Sequence, residues 1–258
     1  MKPSMIFRKR GFTLLETVIA IGVLSVLLTG FIVVFTPAAQ GIKKSINVQQ
    51  ADRLASTLEQ ELVTLRTTAD TTNFGTGFGK ALDWIKNSNL TSSALLAYQY
   101  RGDPSKLRDD DNTATPVDSL QSKLLPGKDY VVVSMLRRKS DSKLLSADLK
   151  AVEGPVYVVK CTQLLFSRDV TKNILGVILG AVGSIVDPKT GAAVTSPSGY
   201  PNPEIAFAVG YPEVTVAFAA DFYQLPSSSE SFVTGSAFTS TFNGLKTPVF
   251  SRNLAVGR

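Results

Sequence analysis

From Thr17 to Phe35 the chain runs 19 residues without a charge, and that stretch limits its folding more than any other. At a helical rise of about 1.5 Å per residue it spans roughly 28 Å, close to the hydrocarbon thickness of a bilayer. Lys2, Arg8, Lys9 and Arg10 precede it, and no acid comes before Glu16. The positive-inside bias then holds the first residues in the cytoplasm and sends the remainder across the membrane. A secretory signal peptide would end in a small-x-small cleavage site. Residues 35–40 offer a poor one, with Pro37 inside it, and helical patterning resumes beyond. The segment therefore reads as a retained anchor with one costly residue, Glu16. An acidic side chain at the centre of a membrane helix costs about 2.5–3.5 kcal/mol, and less near an interface. Either Glu16 has a partner or it reaches the interface and stays hydrated; the residues alone leave both readings open.

Basic residues, then Gly11, then Phe12-Thr13-Leu14-Leu15-Glu16 and an apolar run form the pattern GFTLLE. This resembles the class III signal of type IV pilins and of the pseudopilins of type II secretion, over about 25 of the 258 residues. The resemblance implies that prepilin peptidase cuts between Gly11 and Phe12 and that Phe12 becomes the N-methylated first residue. It implies that Glu16 pairs with the N-terminal amine of a neighbouring subunit in a fibre. The chemistry is consistent. Gly11 has no side chain, so an extended scissile bond can approach a protease closely. A charge pair in an apolar setting that loses one member leaves the other unpaired, at a cost of several kcal/mol. Glu16 would thus select one stagger between subunits. The implied partners are prepilin peptidase, other pilin or pseudopilin subunits through the N-terminal helix, the inner-membrane assembly machinery and the lipid bilayer. The implied location is the bacterial inner membrane, single-pass, with the N-terminus in the cytoplasm and the C-terminal domain outside. The alternative is a membrane-tethered extracytoplasmic binding module with an uncleaved signal anchor.

Composition narrows the function classes. Removing residues 1–11 takes away four of the 27 basic residues and none of the 21 acidic ones, bringing the formal charge from +6 to +2. Basicity is therefore mainly a topology signal, and no nucleic acid partner is expected. Lys43-Lys44 and Arg137-Arg138-Lys139 are dense basic runs that read as solvated clusters. The chain has no histidine, which excludes His-dependent triads and His-ligated metal sites. Its one cysteine, Cys161, lies in the strand-like run VYVVKCTQLLF and reads as a buried structural thiol. Many type IV pilins close a C-terminal loop with a disulfide; one cysteine cannot do so, a departure that favours a pseudopilin or a divergent pilin-like protein. No enzyme activity, cofactor or metal is expected. Asp109-Asp110-Asp111-Asn112 supplies hard oxygen ligands but lacks the spacing of an EF-hand loop, so it reads as a solvated acidic turn in preference to a calcium site.

The expected organisation is a leader over 1–11, a transmembrane helix over 12–36, its amphipathic continuation over 37–68 and a β-rich extracytoplasmic domain over 69–258. Pro37 is expected to kink or open the helix, because it removes a backbone donor and clashes with the preceding turn. Ile42, Ile46, Leu54, Leu58, Leu62 and Leu65 recur at helical spacing, with Ala51 and Ala55 near the same stripe. Short helices are expected at Lys80–Lys86 and Ser92–Tyr100, and a loop over Arg101–Pro116. Strands are expected at Asp129–Arg137, Val156–Phe166, Glu204–Val209 and Val214–Leu225, with one or two edge strands in Phe232–Phe250. Ile174–Val186 is apolar but short and broken by Gly176, Gly180 and Gly183; it reads as strands or a buried hairpin in preference to a second span. The fold class is α+β, a long N-terminal transmembrane and amphipathic helix packed on an antiparallel sheet of four to seven strands, as in pilins. The domain is larger than a minimal major pilin needs, which favours a minor subunit.

Overall fold

The computed structural model describes residues 13–117, 124–169 and 174–258. Helix α1 runs from Leu14 to Val63 and continues on both sides of Pro37. Taken by itself, the segment from Leu14 to Ile46 is exposed on every side, its large apolar side chains included. From Ala51 onward one stripe of α1 is buried: Ala51, Leu54, Ala55, Leu58 and Leu62 are at most 1% exposed. The stripe expected from Ile42 thus begins later, since Ile42 and Ile46 stay exposed.

The domain from Asn47 to Arg258 is built on one antiparallel sheet. Its strands are β1 (Leu95–Leu107), β2 (Ala114–Pro116), β3 (Val131–Arg138), β4 (Tyr157–Asp169), β5 (Ile174–Val182), β6 (Thr215–Gln224) and β7 (Phe250–Gly257). The hydrogen-bonded path is β2-β1-β4-β6-β7, with β3 paired to β1 and β5 paired to β4. Alternation along the strands feeds two cores. Leu95, Ala97, Tyr157, Val159, Cys161, Phe218, Ala220 and Phe222 pack with the buried stripe of α1 and with α3 (Gly77–Asn87). Leu96, Tyr98, Tyr100, Met135 and Val158 point the other way. They pack with Leu145 and Leu149 of α4 (Ser142–Lys150), Val233 of α6 (Glu230–Thr234), and Phe238 and Phe242 of α7 (Ser236–Gly244). A period of two buries both faces only when each is covered, and here helices cover both. The α+β class and the helix-on-sheet packing stand, joined by a second helical layer that local patterning does not foretell.

Local chemistry explains several helix starts. Thr67 and Asp70 form a reciprocal capping box at α2 (Thr68–Phe74). Thr76 caps α3 through its hydroxyl, which accepts from the Gly79 N–H. Asn202 caps α5 (Pro203–Gly210), with Pro203 in the first turn, where its missing N–H costs nothing.

Some expectations need correction. Ser92–Tyr100 is a short 3-10 turn followed by β1, not a helix, because its apolar residues alternate between the two cores. Arg101–Pro116 contains the rest of β1 and β2 and is not simply a loop. Glu204–Val209 is helix α5, set by the Asn202-Pro203 start, and not a strand. Phe232–Phe250 holds helices α6 and α7; the edge strand β7 begins only at Phe250. Ile174–Val186 does form a hairpin arm with β4, but an exposed one: Val177, Ile178 and Leu179 are 50–64% exposed.

Candidate functional site

Gly11 and Phe12, the residues of the expected cut and methylation, lie outside the described residues. Glu16 is described, in the first turn of α1. Its carboxylate accepts from the Thr13 N–H at 2.9 Å and from the Thr13 hydroxyl at 3.0 Å. The Glu16 N–H in turn donates to the Thr13 hydroxyl at 3.2 Å. Thr13-x-x-Glu16 is therefore a capping box, which satisfies helix-end donors that have no intrahelical partner. Its acid is followed by an uncharged run that ends only beyond Phe35. In a single chain Glu16 has local hydrogen bonds and no cationic partner among the described residues. Among the described residues α1 is also the one helix long and apolar enough to cross a membrane.

A second assembly of charge sits in the domain. Asp148 is fully buried on α4 and faces three groups: Arg137 Nε at 2.7 Å, Arg108 at 2.8 Å and the Tyr98 hydroxyl at 2.6 Å. Asp111 is 1% exposed and meets Arg137 Nη2 at 2.5 Å, the Thr113 hydroxyl at 2.7 Å and the Thr113 N–H at 3.1 Å. Burial works against the charge on Arg137, but Tyr98, Asp148 and Asp111 outweigh it and hold the guanidinium above its ordinary value. Burial alone would raise Asp111; its bonds to Thr113 and Arg137 and the charge of Arg108 outweigh that and leave the carboxyl below the usual range. Tyr98 is pushed well up, by burial first and by Asp148 second.

The expected solvated acidic turn and solvated basic cluster are thus corrected together. Asp111 and Arg137 leave water for each other, while Arg138 bonds Asp83 at 3.1 Å and lies over Trp84. Asp110 pairs with Lys143 at 2.9 Å, so neighbouring carboxylates of the turn face different cations. Among the described residues no group of three or more His, Cys, Asp or Glu side chains is placed to hold a metal. Beside the network lies a cleft of about 430 Å³ lined by Glu61, Arg66, Asp70, Lys80, Asp110 and Lys143, among others. Its charges are internally matched: Glu61 with Arg66, Asp70 with Lys80 at 3.6 Å, and Asp110 with Lys143. With its cations and anions satisfied by each other, the cleft is a structural joint that ties the end of α1 to α2 and α3, and the turn between β1 and β2 to α4. Sequence reasoning missed Arg108, Arg137, Asp148 and Tyr98 as one network because they come from three elements and a loop. The remaining titratable thiol, Cys161, is buried, as expected, and burial pushes it up to about 12.

An exposed apolar helix behind a basic, glycine-terminated leader defines a class of membrane-anchored precursors. The prokaryotic N-terminal methylation motif matches residues 6–32. This is the class III prepilin signal of type IV pilins and pseudopilins, and it supports a pilin-like or pseudopilin-like precursor. It implies processing by prepilin peptidase, assembly with other pilins and membrane anchoring. No curated protein and no solved structure matches the chain.

Proposed function

We propose that the chain is a structural subunit, and a minor one, of a type IV pilus or a type II secretion pseudopilus-like fibre. Prepilin peptidase cuts between Gly11 and Phe12 in the inner membrane, Phe12 is methylated, and the domain stands outside the cytoplasm. Residues 12–36 cross the bilayer, and 37–63 carry the helix into the domain, short of the continuation to 68 expected from the sequence. The observation that carries this reading is the placement of Glu16. It is the one carboxylate in the Leu14–Ile46 part of α1, whose side chains are exposed all round. Lipid is already apolar, so hydrophobic burial does not by itself draw such a helix into a bundle; packing and polar pairing must select the arrangement. Cleavage would place a positive amine four residues before Glu16, at Phe12. A neighbour's amine would then supply the cation that the single chain lacks. Pro37 gives the helix a missing backbone hydrogen bond near the end of the span, where softening during assembly would be cheapest.

Mass spectrometry of the mature N-terminus, from cells with and without an active prepilin peptidase, tests this reading. A peptide beginning at N-methyl-Phe12 only when the peptidase is present is the expected result. An intact leader in both strains overturns the fibre reading and favours a tethered binding module.

A further inference from the structure

The arm formed by β4 and β5 has an unusual edge. Among the described residues β5 has one strand neighbour, β4, so the backbone groups on its far side have no strand partner. Val177, Ile178 and Leu179 are consecutive in the strand and 61%, 50% and 64% exposed, so both faces of the arm meet solvent. Phe166, directly opposite Val177 on β4, is also exposed. Residues 174–186 carry no charge. Edge strands that must stay single are normally guarded by lysine, proline, a bulge or a covering element. β5 carries neither charge nor proline; its register with β4 shifts only between Leu179 and Val182, and from Ile174 to Leu179 it is a regular, free, apolar edge, a template for another strand.

The sequence of that edge indicates which strand. From Gly176 to Gly180 it reads Gly-Val-Ile-Leu-Gly, close to a palindrome about Ile178. We propose that β5 is an interaction edge that pairs antiparallel with β5 of a second copy of this chain, on a two-fold axis at Ile178. In that register Gly176 of one copy lies opposite Gly180 of the other, and Val177 lies opposite Leu179. On one face the two Ile178 side chains meet, flanked by glycine gaps. On the other face Val177 and Leu179 form two cross-strand apolar pairs. Directly opposed apolar residues are the unit of sheet stabilisation, and no like charges are brought together. A two-fold axis normal to the sheet keeps each residue on its own face, so the axis must pass through a residue and not between two. Moving it to Val177 sets Gly176 against Ile178, and moving it to Leu179 sets Ile178 against Gly180. Either neighbouring register loses the match of glycine with glycine and the central isoleucine pair. Anchoring by α1 would hold copies in one plane, which raises their effective concentration. The proposal needs a folded, anchored chain but not processing at Gly11, so it stands or falls separately from the fibre reading.

Site-directed cross-linking of the full chain in membranes tests it. Ile178→Cys places two thiols on the axis, whereas Val182→Cys places them about eight strand residues apart, roughly 27 Å. Disulfides require Cβ atoms within about 4.5 Å, so with an added oxidant Ile178→Cys is expected to give about tenfold more covalent dimer than Val182→Cys. Cells co-expressing Val177→Cys and Leu179→Cys chains should yield the mixed dimer. The unsubstituted chain, with Cys161 buried, serves as the blank. Equal dimer from Ile178→Cys and Val182→Cys would mean random collision and overturn the proposal. So would an Ile178→Cys thiol that is shielded from a water-soluble reagent yet gives no dimer, which would place the strand against lipid or another protein. The Ile178→Cys dimer should persist in a strain lacking prepilin peptidase; its loss there would show that the contact belongs to the fibre and overturn an independent pairing.

Discussion

Helix α1 has two parts that meet opposite fates. Leu14 to Ile46 is apolar around most of its circumference, and every side chain is exposed. Asn47 to Val63 has one apolar stripe, which is buried in the domain core. Each part also holds a carboxylate. Glu16 is exposed and has only Thr13 for company. Glu61 is 3% exposed and bonds the Arg66 guanidinium through both of its oxygens. A carboxylate with its cation nearby in the chain belongs to folding. One without is left for a partner outside the chain, which on the proposed fibre reading is a neighbouring subunit.

Substitutions that separate assembly from folding put this contrast at risk. The strongest should be Glu16→Ala, which is expected to remove the subunit from sheared fibres while leaving the urea midpoint of the detergent-solubilised chain unchanged. Normal incorporation of that variant would erase the distinction. Within the domain, Asp148→Ala leaves buried Arg137 and partly buried Arg108 to share Asp111 without their second carboxylate and should cost about 3–5 kcal/mol, read from urea unfolding by the fluorescence of buried Trp84. Leu58→Ala removes a fully buried side chain from the stripe and should cost about 2–5 kcal/mol. Leu24→Ala, in the exposed part, should leave that midpoint unmoved.

Acid should act on the domain through Asp111. Its folded pKa lies below the ordinary carboxylate range, so the unfolded chain takes up a proton at higher pH than the native one. The resulting stability is complete above about pH 5 and is lost as pH falls through the folded value. Asp111→Asn should be less stable at pH 6 and should show a shallower decline of the urea midpoint towards pH 3. An unchanged slope would mean that other carboxylates dominate acid unfolding. The most modest difference separates two capping boxes. Thr67→Ala at α2 should lower domain stability by about 1 kcal/mol, whereas Thr13→Ala at α1 should not change it.

Much of the architecture was legible from local pattern. The buried stripe at Leu54, Leu58 and Leu62 followed from 3.6-residue spacing, and β3, β4 and β6 followed from dense β-branched and aromatic runs. Short apolar segments were the difficulty. Leu95–Tyr100 and Glu204–Val209 are each compatible with either helix or strand by periodicity, and their assignments came out reversed. For the second, Asn202-Pro203-Glu204 held a usable helix-start signal; for the first, no local signal separates a buried helix from a strand with both faces covered.

The anchor and its signal need no fold to be read. An uncharged run of bilayer length, the basic residues before it and the position of Glu16 are properties of contiguous residues, available to a membrane and a peptidase before any domain has to form. Which charges leave water is a different kind of information. Asp111 and Arg137 are 26 residues apart, and Tyr98 and Asp148 are 50 apart. A carboxylate in isolation prefers solvent, and it tolerates burial only where the fold brings a guanidinium and hydroxyls to it in the right geometry. Pairing of that kind depends on which strands become neighbours, and so it is written in the packing of α4 against the sheet and not in any one stretch of chain.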